Sequence, residues 1–323
     1  TAEPTAEPTG DAGAVDLSAV CPSPIVIQTD WFAESEHGGL YEMVGEGYTV
    51  DAPNMRVSGP LVAGGEPTGI DIEVRSGGPA IGFAAPRAQI YTDDSIHIAY
   101  SNIDAQALSW ADTPLIAIMA PLEINPQIIM WDPDTYPDVQ TIADVGEAGI
   151  TVNIFGGFGF ADVFVAQGIW SADQVDPSYD GSPARFIESL DIAQQGFASA
   201  EPFNYEFVFE EYGKRPAFQL LHDADYPIYS QTLSVLPESV EEMADCWEAF
   251  IPIAQQAQVD FVTNPDRANA IIVDAVEQFD SFWVYSPELA DYSVATQLEL
   301  GLVGNGPDST LGNIDEARIQ QVI

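Results

Sequence analysis

The sequence contains very few basic residues. Eight lysines and arginines stand against 51 aspartates and glutamates among 323 residues, so the formal net charge is -43 at pH 7, and Lys214 is the only lysine. A surface of this sign repels phosphate backbones and anionic membranes, which argues against nucleic acid as a partner. The acidity indicates a solvated surface that keeps a protein soluble in high salt, or a lineage with acid-biased secreted proteins.

Long apolar runs and common catalytic motifs are missing as well. No stretch approaches the roughly 20 apolar residues of a membrane-spanning helix, and the amino terminus shows no signal-peptide pattern. Neither a Gly-x-Ser-x-Gly elbow nor a His-Glu-x-x-His motif occurs, and three histidines offer little general-base chemistry. We therefore expect no catalytic residues and no enzyme activity.

Cysteine is nearly absent. The two cysteines form no Cys-x-x-Cys pair and no His/Cys cluster, so neither a metal site nor a cofactor is predicted. Cys21 precedes the first predicted strand, and Cys246 lies in a predicted helix at 240–255 that should pack on the same lobe. In an oxidising compartment they are candidates for one disulfide, which would stabilise the fold by up to about 5 kcal/mol through loop closure.

The chain begins with a repeat of small, acidic and proline residues. Residues 1–10 read TAEPTAEPTG, a composition that forms no core and predicts an extended linker. We predict a disordered tether over 1–20, of the kind that follows the lipidated cysteine of a cell-surface lipoprotein or remains after a secretory signal is cleaved. Both readings place the protein outside the cytoplasm, and an ordinary disordered terminus is the alternative.

Short strands and helices then alternate along the chain. Strands are predicted at 25–28, 55–60, 80–84 and 96–100, and helices at 39–45, 70–76 and 85–91. This alternation is typical of an α/β protein with a parallel sheet. At this length, with 46% apolar residues, the chain can bury two cores.

The second core is predicted in the middle of the chain. Strand-like runs at 115–120 and 127–131 begin it, followed by a helix at 141–148, a strand at 151–154, a helix at 161–167 and a strand at 207–210. A strand-like run at 226–236 and helices at 240–255, 265–278 and 315–323 return to the first core. We therefore predict that 21–116 and 226–323 form lobe 1 and 117–225 form lobe 2, with two hinge crossings and a cleft between the lobes.

The most informative run is DWFAESEHGGLY at residues 30–41, between a predicted strand and the first helix. Open α/β sheets hold their ligands at this junction, and the run combines aromatic, acidic and histidine side chains with two glycines. Trp31 is alternatively a core or lid residue, Phe32 is alternatively a core residue, and His37 alternatively caps the following helix. The ligand-binding candidates are Asp30, Trp31, Phe32, His37, Gly38 and Tyr41.

This run resembles the opening of the pyrimidine-binding branch of the periplasmic substrate-binding proteins, which includes thiamine-pyrimidine binders, riboflavin binders and the eukaryotic thiamine-pyrimidine synthases. DW at 30–31, HGGLY at 37–41 and GY at 47–48 match its pattern, with Thr49 replacing a phenylalanine. A weaker match at 75–83 adds Gly77 as a candidate, and the resemblance extends over about 24–300. It implies a two-lobe periplasmic-binding-protein-like fold of type II and an ABC permease as partner.

Lobe 2 is predicted to contribute a glycine-rich turn, NIFGGFGF at 153–160, between a strand and a helix. Its N–H groups and phenylalanines suit a flat ring, whereas a Rossmann fingerprint is excluded because the third glycine is missing at the required spacing. Helix capping is the alternative role of this turn. The candidates are Phe155, Gly156, Gly157 and Phe158, and the family's second-lobe Gly-x-x-Asn/Glu-Pro element adds Glu201.

These side chains favour a flat, neutral or weakly cationic heteroaromatic ligand. The aromatic rings would stack on it, Asp30 and Glu201 would accept hydrogen bonds from an exocyclic amine, and His37 would donate one. We expect a monomeric binding protein of an ABC importer that closes around a thiamine-pyrimidine-like compound.

Four alternatives stay open. Riboflavin is one, because a wider aromatic cleft would accept its ring system. Nitrate, taurine or another sulfonate is a second, with Arg75 or Arg87 as the partner of the anion. The others are a synthase-like enzyme, although the cysteine-rich iron-binding segment of those enzymes is missing here, and a surface protein without a ligand.

Overall fold

The computed structural model describes residues 15–322, so residues 1–14 of the predicted tether lie outside the described residues. The strands within this part are β1 Ile25–Gln28, β2 Thr49–Asp51, β3 Arg56–Ala63, β4 Glu66–Arg75, β5 Ile98–Ser101, β6 Ile116–Met119, β7 Gln127–Trp131, β8 Thr151–Asn153, β9 Val175–Asp176, β10 Ile192–Phe197, β11 Ala217–Leu220 and β12 Thr232–Val235.

The α-helices are α1 Gly38–Glu42, α2 Pro86–Ile90, α3 Ile103–Ser109, α4 Ile142–Glu147, α5 Gly159–Ala166, α6 Ala184–Glu188, α7 Glu201–Phe203, α8 Ser239–Glu242, α9 Ala244–Thr263, α10 Asp266–Phe279, α11 Pro287–Glu299 and α12 Glu316–Val322. None of the helices within 15–322 combines the length and the apolarity needed to span a membrane.

The chain divides into two compact units. Within the described residues, lobe 1 contains 15–123 and 229–321, and lobe 2 contains 124–228. The sequence had suggested crossings at 117 and 226. β6, in the strand-like run at 115–120, pairs with β12 in the sheet of lobe 1, so the chain enters lobe 2 only after this strand.

Lobe 1 is built on a seven-stranded sheet with the order β2-β3-β4-β1-β5-β12-β6. β1 is buried along its whole length and lies parallel to both β4 and β5. The residues that follow these three strands therefore meet at one edge of the sheet. β12 is antiparallel to β5, so the residues that precede β12 lie at the same edge. We call this the carboxyl edge of lobe 1.

Lobe 2 is built on a five-stranded sheet with the order β11-β7-β10-β8-β9. β8 is parallel to both β10 and β9, so the residues after these three strands also meet at one edge, the carboxyl edge of lobe 2. Its core contains the large buried side chains of Trp131, Phe160, Phe164 and Trp170. This core supports the sheet from which the glycine-rich turn projects.

Three of the predicted elements are wrong. Residues 70–76 were expected to be helical but lie largely in β4, where buried Ile70, Ile72 and Val74 alternate with acidic residues at the two-residue period of a strand. The predicted strand at 80–84 is instead a 3-10 helix, Gly78–Ile81, followed by a turn. The predicted strand at 207–210 overlaps the π-helix Asn204–Val208.

A disulfide joins Cys21 to Cys246, with a Cα–Cα distance of 4.9 Å. It links the segment before β1 to α9, and Cys246 is fully buried. The bond therefore ties the segment before the first strand to a helix that the chain reaches only after passing through lobe 2. It closes a loop between residues 225 positions apart.

Candidate functional site

Asp30 lies in a hydrogen-bonded cluster at the carboxyl edge of lobe 1. Its Oδ1 accepts hydrogen bonds from His37 Nε2 at 2.9 Å and from Gln231 Nε2 at 3.2 Å. Since a carboxylate only accepts, His37 carries a proton on Nε2. The His37 side chain is fully buried, whereas that of Asp30 is 28% exposed. The buried histidine thus fixes the position of a carboxylate that is partly exposed at the surface.

Several buried polar atoms at this edge have no hydrogen-bond partner within residues 15–322. They are His37 Nδ1, Ser76 Oγ, Ser230 Oγ and Gln231 Oε1, and the four residues are at most 3% exposed. Buried polar atoms without partners are rare and cost about 1–3 kcal/mol each. Of these residues, His37 and Gln231 are hydrogen-bonded to Asp30, whereas Ser76 follows β4 and Ser230 precedes β12 at the same edge.

Gln231 is held in a strained backbone conformation. Its φ of 54° lies in the left-handed region, which a residue other than glycine adopts rarely. A hydrogen bond stabilises this conformation, because the Gln231 N–H donates to Asn102 Oδ1 at 3.0 Å. Strained, buried polar residues concentrate at functional sites. Gln231 thereby reaches Asp30 from the start of β12.

Trp31 lies in a group of aromatic rings next to Asp30. It is half-buried, and its ring centroid is 6.0 Å from that of Trp283, 5.9 Å from that of Phe32 and 6.3 Å from that of Phe83. Trp283 Nε1 donates to Ala33 O at 3.3 Å, which ties the chain after α10 to the loop after β1. The position of Trp31 is therefore set by three separate segments.

The loop after β1 packs directly on the turn after β4. The Gly77 N–H donates to Trp31 O at 2.7 Å, and a Cβ on Gly77 would lie 2.1 Å from Thr29 O. A Cβ on Gly78 would lie 2.4 Å from Trp31 Cε3, and Gly78 has a φ of +57°. Only glycine permits this close approach. Gly77, a predicted ligand contact, thus supports the loop that carries Asp30 and Trp31.

Three of the other predicted ligand contacts are buried in the packing of lobe 1. Phe32 and Tyr41 are each 1% exposed, and a Cβ on Gly38 would lie 2.2 Å from the Phe261 ring of α9. Burial raises the pKa of Tyr41, and the charge of Glu34 raises it further. Gly38 and Tyr41 lie in α1, which packs on α9 and α10, whereas Phe32 packs against the rings of Phe282 and Trp283.

Negative charges surround the buried tyrosines behind the site. Burial raises the pKa of Tyr100 well above its ordinary value, and Asp30 is the next contributor. The Tyr100 and His37 rings meet edge to face at 5.1 Å. Burial also raises the pKa of Tyr285, followed by the charge of Glu36. Acidic side chains thus lie close enough to both buried tyrosines to affect their pKa values.

The glycine-rich turn of lobe 2 begins directly after β8. Gly156 and Gly157 are exposed, and Phe155 and Phe158 are half-buried with ring centroids 6.4 Å apart. The Phe155 N–H donates to Gln195 Oε1 at 3.0 Å, so this backbone donor is already used. The Phe155 ring also lies 4.5 Å from Tyr179, which follows β9. The turn therefore presents an aromatic surface at the carboxyl edge of lobe 2.

Glu201 follows β10 and lies near the same aromatic group. Its Oε2 accepts a hydrogen bond from the Phe197 N–H at 2.6 Å, and a Cβ on Gly196 would lie 2.8 Å from its Cγ. Burial raises the pKa of Tyr179, and the charge of Glu201 adds to this effect. Phe155, Tyr179 and Glu201 thus come from the ends of three neighbouring parallel strands.

Sequence reasoning missed several residues at these two edges. Gln231 and Ser230 precede a strand that pairs antiparallel with β5, and this pairing alone brings them to Asp30. Trp283 follows α10, about 250 residues after its partner Ala33. Tyr179 follows the two-residue strand β9, which is too short to be recognised from periodicity. Among the described residues, no group of three or more His, Cys, Asp or Glu side chains is placed to hold a metal ion.

No protein-family model and no curated protein sequence matches the chain. Several solved structures do match it. The periplasmic aliphatic sulphonate-binding protein SsuA of Escherichia coli is similar over 94% of this chain and 86% of its own, with 11% identity and a TM-score of 0.54. The alkanesulfonate-binding protein SsuA of Xanthomonas axonopodis pv. citri, bound to MOPS, is similar over 94% and 91%, with 13% identity and a TM-score of 0.51.

This chain has the periplasmic-binding-protein fold. The α/β class and the two-lobe architecture predicted from the sequence are thereby confirmed. In the periplasmic-binding-protein fold, as in other open α/β proteins, the carboxyl ends of parallel strands are the places where ligand-binding side chains are presented. Both edges described above, with Asp30 and Trp31 in lobe 1 and Phe155 and Glu201 in lobe 2, occupy such positions.

Proposed function

We propose that this protein is an extracytoplasmic solute-binding protein of an ABC importer and that its ligand is a small heteroaromatic compound, such as a thiamine-pyrimidine precursor. The fold supports the solute-binding role. The observation that carries the ligand class is the carboxylate of Asp30, which His37 and Gln231 hold at the carboxyl edge of lobe 1 beside the half-buried ring of Trp31.

We propose that the groups at this edge bind the ligand through hydrogen bonds and through ring stacking. Both hydrogen bonds to Asp30 end on Oδ1, so Oδ2 accepts from an exocyclic amine of the ligand. The Trp31 ring stacks on the heterocycle, which contributes about 0.5–1.5 kcal/mol beyond the burial of its area. The unpartnered oxygens of Ser76, Ser230 and Gln231 offer further hydrogen bonds. An aminopyrimidine presents donors, acceptors and a flat ring together.

Lobe 2 contributes candidates on the strength of its own geometry. Phe155 and Phe158 present rings, the exposed Gly156 and Gly157 allow a close approach of the backbone, and the Glu201 carboxylate lies beside Tyr179. We propose these residues as a second set of ligand contacts. Closure of the protein on its ligand, delivery to a membrane permease and a monomeric state stay predictions.

A thermal-shift and calorimetric screen tests the proposal. The wild-type protein is mixed with the hydroxymethyl aminopyrimidine of thiamine, thiamine, riboflavin, taurine, an alkylsulfonate and nitrate, each at low and high NaCl. A ligand at a hundredfold excess over its Kd stabilises the folded state by about 2.7 kcal/mol, so the Tm should rise by several degrees with the aminopyrimidine.

Two variants and a matched control connect a shift to the site. Trp31→Ala and Asp30→Asn should each weaken binding about tenfold or more, since one removes the stack and the other the charged acceptor. Trp110→Ala is the control, because Trp110 is a 54% exposed tryptophan of the same lobe that takes no part in the site. Aromatic ligands that leave the Tm unchanged would contradict the proposed ligand class.

Sulfonate binding is a second candidate, and one side chain favours it. Arg87 in α2 is half-buried. Among the lysine and arginine side chains within residues 15–322, it is the one that has no carboxylate within ion-pair distance. The other seven are paired: Arg56, Arg75, Arg185, Lys214, Arg215, Arg267 and Arg318. A Tm shift with taurine or an alkylsulfonate that Arg87→Ala abolishes would assign the protein to this class.

A further inference from the structure

Phe83 has a backbone conformation that is unusual for a bulky residue. It follows the 3-10 helix Gly78–Ile81 and has a φ of +60°, in the left-handed region. Its N–H donates to Gly78 O at 2.8 Å, which closes the turn and holds this conformation. Glycine adopts such a φ without steric cost, whereas a side chain at Cβ strains it. The backbone at this position therefore favours a residue other than phenylalanine.

Burial does not explain the side chain either. Phe83 is 54% exposed, so most of the apolar benefit of a phenylalanine is not realised in the protein alone. Its ring lies 6.3 Å from Trp31 and is tilted by 49° to it. An exposed ring on a strained backbone is thus held next to the residue that is proposed to stack on the ligand. Residues that keep a strained backbone conformation are concentrated at functional sites.

Other exposed apolar side chains lie near the aromatic group that contains Trp31 and Phe83. Phe282 is 59% exposed and Val284 63% exposed, and the Phe282 ring lies 5.6 Å from that of Phe32, the neighbour of Trp31. These side chains follow α10, so two separate segments bring exposed apolar groups to the aromatic group around Trp31. Such a concentration next to a polar cluster is typical of a ligand-binding surface.

We propose that Phe83 is a ligand-contacting residue that determines specificity by supplying a second aromatic surface beside Trp31. This inference rests on the proposed function and deepens it. A second ring increases the affinity for flat aromatic compounds but does little for taurine or nitrate, which have no ring to stack. Phe83 therefore selects heteroaromatic ligands over small anions, and the stacking it provides compensates for the strain of its backbone.

The test compares Phe83→Gly with Phe83→Leu by calorimetry, with the hydroxymethyl aminopyrimidine of thiamine and riboflavin as probes and the full chain as the protein. Both variants should raise the Kd of the aromatic ligand about tenfold, the factor that corresponds to the loss of one stacked ring. Phe83→Gly should leave the Tm unchanged or raise it, because the strained backbone relaxes. Phe207→Ala, which removes a 62% exposed ring in lobe 2, should change neither value.

The possible results separate the inference from the function on which it rests. An unchanged Kd in both variants, with binding that still depends on Trp31, overturns the role of Phe83 and leaves the proposed function intact. A Tm that Phe83→Gly lowers by several degrees, with both Tm and Kd restored in Phe83→Leu, shows apolar packing only and also overturns it. A wild-type protein that binds neither aromatic probe overturns both proposals.

Discussion

Two buried polar side chains of lobe 1, those of His37 and Gln231, meet at the Asp30 carboxylate. His37 donates from Nε2 to Asp30, and its Nδ1 has no partner within the described chain. Both hydrogen bonds to Asp30 end on Oδ1, which leaves Oδ2 as the acceptor for the proposed ligand.

Lys214, the only lysine, lies between two aspartates of lobe 2. Its Nζ is 2.7 Å from Asp132 Oδ2 and 2.5 Å from Asp134 Oδ2, and the Asp132 side chain is fully buried. Burial acts to raise the pKa of Asp132, but the hydrogen bonds from Lys214 and the Thr135 N–H outweigh it, and the pKa is lowered. The pair thus contributes stability that is present above the ordinary carboxyl pKa.

Replacing this lysine tests the contribution. Lys214→Met should lower the free energy of unfolding at pH 7 by about 2–4 kcal/mol, because it leaves a buried carboxylate without its partner. The deficit should shrink as the pH falls below about 4, where the wild-type protein loses the contribution of the pair as Asp132 takes up a proton. Urea denaturation at pH 7 and pH 3 measures both values.

Lys214→Arg is the matched control for the charge and should retain most of the stability at pH 7. A Lys214→Met deficit that is the same at both pH values would contradict the ion-pair explanation, since it would then come from lost apolar contacts of the side chain alone.

The two turns that follow β1 and β4 behave as one packed element. Gly77 and Gly78 leave room for the backbone after Thr29 and for the Trp31 ring. The loop that carries Asp30 thus packs on this turn through close approaches that only glycine permits, in addition to its side-chain hydrogen bonds. Its geometry should consequently depend on the turn after β4, about 45 residues away in sequence.

Alanine at Gly78 and at Gly82 separates steric contact from backbone strain. Both glycines have a positive φ, +57° and +63°, but a Cβ on Gly82 would meet no atom within 4 Å, whereas one on Gly78 would meet Trp31. Gly82→Ala should cost about 1 kcal/mol from strain alone. Gly78→Ala should cost about 2–4 kcal/mol and shift the tryptophan emission, as Trp31 is displaced. Equal losses in the two variants would show that the Trp31 contact is unimportant.

The disulfide acts on the stability of the whole molecule. It connects positions 225 residues apart, so the oxidised unfolded chain is far more restricted than the reduced one. The double variant Cys21→Ala/Cys246→Ala should lose up to about 5 kcal/mol and melt several degrees lower. The wild-type protein in dithiothreitol is the control and should approach the same Tm. A variant with the wild-type Tm, or a Tm that the reductant leaves unchanged, would show that the bond contributes little.

Much of the framework followed from local patterns in the sequence. The strands at 25–28 and 127–131 have the predicted bounds, and the DWFAESEHGGLY run does follow a buried strand. The helix predicted at 70–76 failed because the alternation in β4 was overlooked. Hydrophobic periodicity and composition depend only on a segment and its immediate neighbours. They therefore predict where an element lies better than they predict which elements contact each other.

By itself the sequence determined the net charge, the single possible intramolecular disulfide and the aromatic and acidic run after β1, because these depend only on which residues are present and in what local order. Tertiary structure decided which of them share a surface. It buried Phe32 and Tyr41, and it brought Gln231 to Asp30 and Trp283 to Trp31 from more than 200 residues away. The physical reason is that such contacts depend on strand order and packing, which no local pattern encodes.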